Sequence, residues 1–218
     1  MTGTLPLVYG TGNPAKFQSM RDALLPVGIK IAGLNEIGAD IPEPDETGDT
    51  PLENARIKAL FYYRRLRRPV FACDSGLHIE GLPDHEQPGV HVRVRGGKRM
   101  SDAEMTGYYS ALAGKMGGKV PAQYRNAICL VMSEREIYEH DGEDIFGEAF
   151  YLVDKPHPER VEGFPLDCIS VHIGSGAYYY DLEDPPDDSG IIDDGFQLFF
   201  LRAMDQYAAK VKEGSPGD

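Results

Sequence analysis

Extended and helical patterns alternate along the first third of the chain, and that alternation limits the fold more than any other feature. Leu7–Tyr9 reads as the core of a short buried strand, with Pro6 tolerable because it stands at the strand's start. "GTGNP" then turns the chain into a helix expected from about Ala15 to Leu25, with Phe17, Met20 and Leu24 as its apolar stripe. "IKIAGL" is a second strand. Thr50 reads as an N-cap, Pro51 as the first helical position and Glu53 as the partner that completes a capping box. Leu52, Ala55, Ala59, Tyr62 and Leu66 follow at steps of three and four, a core-facing seam. "PVFAC" is a third strand. Strand, helix, strand, helix, strand is the βαβ pattern of an α/β fold.

Beyond a Gly- and Arg-rich loop (Pro88–Lys98), Ser101 caps a helix in "SDAEMTGYYSALA". From "YRNAICLVMSE" through "REIYEHDG" and "IFGEAFYLV" the pattern changes to strands joined by short turns, read as antiparallel hairpins. "FQLFFLRAMDQYAAKVK" is an amphipathic helix whose lysines sit toward its C-terminal end, as the helix dipole favours. No internal repeat and no long linker interrupts the chain, so residues 1–218 read as a single domain. The expected architecture is one α/β unit with a mixed sheet, elongated by a second layer of hairpins. At 218 residues, 41% of them hydrophobic, it has enough apolar material for a substantial core.

The formal net charge is −13, the opposite of the basic stripe that grips a nucleic-acid backbone, so no nucleic-acid partner is expected. The acid concentrates in "EIGADIPEPDETGDT" and "DLEDPPDDSGIIDD", which read as solvated loops. A divalent cation bridging protein and a small polyanion is compatible with this balance. No apolar run has the length of a membrane span, and the start of the sequence lacks a basic-then-apolar leader pattern. A cytoplasmic protein with no membrane partner is therefore expected. Cys73, Cys129 and Cys168 form no Cys-x-x-Cys pair and read as small buried hydrophobes rather than as a disulfide framework or zinc knuckle.

Four stretches could carry chemistry. "TGNPAK" offers glycines, exposed N–H groups at a helix start, the Asn13 amide and the Lys16 ammonium, an anion site; a strand-to-helix turn that merely needs Gly12 is the alternative. In "CDSGL", Asp74 follows a buried strand, where an open α/β sheet keeps its ligands, and would suit metal or water activation; an Asx-turn or cap is the alternative. "PEPDETGDT" places Glu43, Asp45 and Glu46 ahead of a helix, and magnesium takes one or two such carboxylates with phosphate oxygens and water. "PGVHVRVRGGK" puts Arg93 and Arg95 on one face of an extended segment, as forks for a triphosphate or as a solvated edge strand.

Taken in order, "TGNPAK", "TPLENARIKA", "CDSGL" and "PGVHVR" resemble the inosine triphosphate pyrophosphatase family, which hydrolyses non-canonical purine nucleoside triphosphates. The resemblance spans about the first 100 residues. It implies an elongated α/β fold with an active-site cleft between two lobes, usually a homodimer, and magnesium-dependent (Mg2+) hydrolysis of (d)NTP to (d)NMP and pyrophosphate. It also implies that Thr11, Gly12, Asn13 and Lys16 hold the triphosphate, and that Asp74 ligates metal and activates water with Ser75 beside it. Glu43 is the first choice for the second metal carboxylate and Glu46 the next; Asn54, Lys58 and Arg93 fall at phosphate-side positions.

The departures from the family pattern are informative. Cys73 replaces an acidic residue, and the family's Phe-Gly-Tyr-Asp survives only as "FPLD", retaining Phe164 and Asp167. The family's Ser-x-x-Ser-His-Arg-Gly lines up with "SGIIDDGFQL", so its His-Arg pair falls on Asp193 and Asp194. Ionised aspartates only accept hydrogen bonds, which suits a purine presenting N–H donors and implies an altered base preference. The alternative is a nucleotide-binding or regulatory module that kept the phosphate site and lost turnover.

Overall fold

The structure, a computed structural model, describes residues 6–183 and 189–214. In chain order the main elements are β1 (Leu7–Tyr9), α1 (Pro14–Leu24), β2 (Ile31–Gly33), α2 (Pro51–Leu66), β3 (Val70–Ile79), β4 (Val94–Arg95), β5 (Lys98–Arg99), α3 (Asp102–Lys115), β6 (Lys119–Ser133), β7 (Glu136–His140), β8 (Ala149–Val153), β9 (Ser170–His172) and α4 (Ser189–Gly214). They form the expected mixed α/β fold with flanking helices and antiparallel hairpins. The expected capping box of Thr50 with Glu53 starts α2, and the expected Ser101 cap starts α3, with Glu104 completing a second box there. Among the described residues no helix is long and apolar enough to cross a membrane.

The chain divides into two compact units. The first takes the described residues up to Ser75, Asn126–Phe146 and those from Ser189 onward. In it β2, β1 and β3 run parallel, with Leu7 opposite Ile31 and Tyr9 opposite both Gly33 and Phe71. The second half of β6 pairs antiparallel with β7 from Ile128 opposite His140 onward. Strand alternation sorts the side chains into two layers. Val8, Val70 and Ala72 turn toward α2 and meet Ala55, Ala59 and Tyr62. Leu7, Tyr9 and Phe71 turn the other way, against Met20 and Leu24 of α1 and Phe196, Phe199 and Phe200 of α4. Phe71 is the hub of that second layer, stacked on Tyr9 at 4.5 Å between ring centroids and edge-on to Phe200 at 4.9 Å.

The second unit takes Gly76–Arg125 and the described residues from Gly147. The first half of β6 pairs antiparallel with β8, and β8 with β9. Met105, Tyr109 and Ala113 of α3 pack with Leu77, Ile79, Val120, Leu152 and Ile169 in its core. β4 and β5 make a separate two-residue hairpin.

Three boundaries differ from the sequence expectation. β3 does not stop at Cys73 but continues to Ile79, so Asp74 lies within a strand; what stops is its parallel partner β1, at Tyr9. β6 begins at Lys119, well before Tyr124, because β8 supplies a ladder for the earlier residues. α4 begins at Ser189, so Asp193 and Asp194 lie in a helix and not in a solvated loop; residues 184–188 of that acidic tract lie outside the described residues.

Candidate active site

Neither Gly10 nor Gly12 adopts a positive φ, so the turn after β1 does not need glycine for its backbone conformation. Both are glycine for proximity. A methyl at Gly10 would meet the buried Tyr62 ring at 2.6 Å, and one at Gly12 would overlap the Glu43 carboxylate. Glu43 thus lies directly over the turn.

The helix-start amides are already committed. Ala15 and Lys16 N–H donate to Asn13 Oδ1 at 2.9 and 3.2 Å, Asn13 N–H donates to Thr11 Oγ1 at 3.1 Å, and Pro14 has no N–H. The expected exposed N–H groups of α1 are therefore used by its own cap. What remains for an anion here is the Asn13 side-chain N–H groups, which the cap does not use, and the Lys16 ammonium.

On the α2 side of β3, strand parity places Asp74 in line with Val70 and Ala72, facing α2. Two residues one turn apart on α2 receive it. Asn54 Nδ2 donates to Asp74 Oδ2 at 3.2 Å, while Asn54 Oδ1 accepts from Gly48 N–H at 2.8 Å. Lys58 Nζ donates to Asp74 Oδ1 at 2.8 Å and to Glu46 Oε1 at 2.9 Å. Asp74 is neither an Asx-turn nor a cap. Burial works against the Lys58 charge, but the Asp74 and Glu46 carboxylates outweigh it and hold its pKa above the ordinary lysine value. Gly10, Thr11, Asn13, Lys16, Glu43, Glu46, Lys58, Tyr62, Cys73 and Asp74 line one cavity of about 210 Å³. The turn after β1, the acidic loop, α2 and Asp74 therefore converge on one space.

Ser75, one residue on, points to the opposite face. Its hydroxyl donates to Asn126 Oδ1 at 2.7 Å, and Asn126 Nδ2 donates to the Ile145 carbonyl at 2.7 Å. Ser75 and Asn126 line a second cavity of about 350 Å³ on the side of α1 and α4, with Tyr9, Ser19, Met20, Ile192, Asp193 and Phe196 among its walls. Lys16 and Cys73 border both cavities. Asp193 is half-buried at this wall and Asp194 is exposed. Sequence reasoning missed Asn126. The available signal was an asparagine, a strand-poor residue, inside the apolar strand "YRNAICLVMS". Cys73 is half-buried, Cys129 and Cys168 are buried, and all three thiols are free. Burial pushes the Cys73 thiol up to about 12, so it is no thiolate nucleophile.

Arg93, Phe164 and Asp167 belong to the second unit. Arg93 is engaged there, donating to Asp102 Oδ1 at 2.6 Å and to the Gly163 carbonyl at 2.8 Å. Arg95 lies over the Tyr108 ring at 4.9 Å, so the two arginines have separate partners. Phe164 is exposed, and burial holds the Asp167 carboxyl above the ordinary aspartate range.

Glu43, Glu46 and Asp74 bring hard oxygen donors to the first cavity, the donor chemistry that magnesium selects. Among the described residues no three acidic, His or Cys side chains close on a common point. The set fits a cation that takes one or two carboxylates and completes its shell with phosphate oxygens and water, as magnesium does at phosphate sites.

Comparison with known proteins places the chain in a family. The Ham1 family model matches residues 7–151, a span that contains the turn after β1, the acidic loop, α2 and Asp74. The dITP/XTP pyrophosphatase of Rhodopseudomonas palustris is 34% identical over 137 residues, covering 61% of this chain and 63% of that protein. The dITP/XTP pyrophosphatase of Porphyromonas gingivalis is 40% identical over 110 residues, covering 49% of this chain and 54% of that protein. The matched region spans less than two thirds of the length of these two relatives. A HAM1 protein from Coxiella burnetii shares the fold, with a TM-score of 0.66 over 97% of this chain and 100% of that one, at 24% identity. The motifs that suggested the resemblance lie inside the matched span, and the chain belongs to the Ham1 family.

Proposed function

We propose that this chain is a nucleoside triphosphate pyrophosphatase that acts on purine nucleotides and depends on magnesium. The single observation that carries the proposal is the convergence of Lys16, Lys58, Glu43, Glu46 and Asp74 on one cavity beyond the end of β1. The names of the similar dITP/XTP pyrophosphatases support it. The reaction is NTP plus water to NMP plus pyrophosphate: a water oxygen bonds to the α-phosphorus, the bond from that phosphorus to the bridging oxygen breaks, and the water proton leaves to a base.

Asp74 is the proposed base, or holds the water for it. Asn54 fixes one of its two oxygens, which removes rotational freedom from the group that must meet the water, and Lys58 pairs with the other oxygen while no substrate is bound. Lys16 and the Asn13 side-chain N–H groups face the anionic chain. Glu43, Glu46 and Asp74 would hold magnesium, which when bound supplies charge neutralisation at the phosphate oxygens. Thr11 supports the Asn13 backbone, and Gly12 leaves room for the approach of Glu43. Arg93, Phe164 and Asp167 are proposed substrate contacts from the second unit. Asp193, at the wall of the second cavity, would read a base through its donors, which moves preference toward amino-bearing purines. The proposal includes one functional domain over residues 1–218 and a cytoplasmic homodimer.

The deciding experiment measures pyrophosphate release from a panel of purine and pyrimidine triphosphates, with and without magnesium. Magnesium-dependent release from purine triphosphates is expected, and Asp74→Asn should lower turnover by about 10²–10⁴-fold with an unchanged circular dichroism spectrum. Near-normal turnover in folded Asp74→Asn would end the assignment. Clear preference for inosine triphosphate over every amino-bearing purine would end the Asp193 reading alone. One observation favours the second reading, a binding module without turnover: Lys58 already pairs with both Asp74 and Glu46. Triphosphate binding with no release from any member of the panel would select it.

A further inference from the structure

Lys58 occupies the position in the acidic cavity that a metal would contest. Its ammonium lies 2.8 Å from Asp74 Oδ1 and 2.9 Å from Glu46 Oε1, so one cation spans two of the three carboxylates. The Lys58 and Asp74 side chains are only 12% and 10% exposed, which limits water as a substitute for this pairing. The other oxygen of Asp74 is taken by Asn54. Each oxygen of Asp74 therefore already accepts one hydrogen bond from α2, and the one that Lys58 holds is the one it shares with Glu46 through a single ammonium. Glu43, by contrast, takes no hydrogen bond among the described residues and lies over Gly12.

We propose that Lys58 is an internal counter-cation that closes Asp74 and Glu46 to a divalent metal until a triphosphate arrives, so that metal and nucleotide bind as a coupled pair. This rests on the reading of the cavity as a metal–triphosphate site. An ammonium and a metal ion compete for the same carboxylate oxygens. Without nucleotide, three carboxylates face two ammonium groups, Lys16 and Lys58, and the site is nearly neutral. A triphosphate adds several negative charges and gives the flexible lysine stem another anion to pair with. Lys58 can then give up its carboxylates without becoming an unpaired buried charge. Coupling of this kind is reciprocal: metal must tighten nucleotide by the factor with which nucleotide tightens metal. In this role Lys58 is a positioning residue.

The test measures Mn2+ binding to the full chain by electron paramagnetic resonance of the free ion, alone and with an α,β-methylene purine triphosphate that cannot be cleaved. Wild type should bind Mn2+ weakly alone and about tenfold or more tightly with the analogue. Lys58→Met, which keeps the apolar stem, should bind Mn2+ alone about tenfold more tightly than wild type, with the coupling reduced toward unity. Unchanged or weaker binding of Mn2+ alone by a folded Lys58→Met protein overturns the proposal. Thermal melting provides a second readout: Lys58→Met should melt below wild type without metal and recover on addition of Mn2+. A lowered melting temperature that Mn2+ does not recover counts against it. Asp74→Asn separates the two layers of inference. If Asp74→Asn binds Mn2+ in the presence of the analogue as tightly as wild type does, the metal reading fails whatever Lys58 does; if it binds more weakly there while Lys58→Met is unchanged, only the Lys58 proposal fails.

Discussion

Asn54 uses both ends of its amide, accepting from Gly48 N–H and donating to Asp74, and it is buried. Replacing it with Leu leaves a backbone donor and a carboxylate oxygen unpaired, with an expected loss of about 1–3 kcal/mol in urea unfolding. Turnover should fall by a larger factor than KM rises, because the residue holds the proposed base rather than the substrate. The glycines of the first turn separate in a similar way. Gly10→Ala drives a methyl into the fully buried Tyr62 ring, with an expected loss of about 1–3 kcal/mol by the same measurement. Gly12→Ala meets only the end of the Glu43 side chain, which can move aside, so it should leave stability almost unchanged. The residues of the first cavity were legible one by one, as glycines, a lysine and carboxylates at motif spacing. Their hydrogen-bond partners were not, since an Asn13 that caps its own helix and one that presents its amide to a ligand have the same sequence.

Helix α2 supplies both Asn54 and Lys58, so its start sets the geometry around Asp74. Thr50→Ala removes half of its capping box, and the expected cost is about 1 kcal/mol in thermal or urea unfolding. Helix α4 is held by larger forces. Phe196, Phe199, Phe200 and Ala203 repeat at helical spacing against the sheet, and Phe200 is fully buried. Phe200→Ala should cost about 3–5 kcal/mol, three or more times the cap, measured by the same unfolding. The caps and apolar stripes of these helices are local chemistry and were readable from composition and period. The end of β3 was not. "CDSG" has the residues of a turn, yet β3 continues through it, because strand length depends on neighbouring ladders as well as on propensity.

Alkaline pH should destabilise the fold as a unit, because desolvation keeps several of its acids neutral. Burial holds the Cys73 and Cys129 thiols up at about 12, from an ordinary value near 9.0. The unfolded chain releases these protons first, so stability present at neutral pH is lost as pH rises from about 9 toward 12. Lys58, with its pKa raised, contributes in the same direction: its ion pairs persist below the ordinary lysine pKa and are lost as pH passes its own higher value. Urea midpoints should fall steadily between about pH 8 and about pH 10.5, and the Cys73→Ala/Cys129→Ala double variant should show a shallower slope. An equal slope in both proteins would assign the alkaline loss elsewhere. The linear order of residues was enough to establish an α/β chain, its capped helices and the motifs that place it in the Ham1 family, because period, capping and turn chemistry act over a few neighbouring residues. It could not establish which face of β3 each motif residue serves. Strand alternation and pairing register, which depend on contacts between residues far apart in the chain, send Asp74 to α2 and Ser75 to the cavity beside α1 and α4.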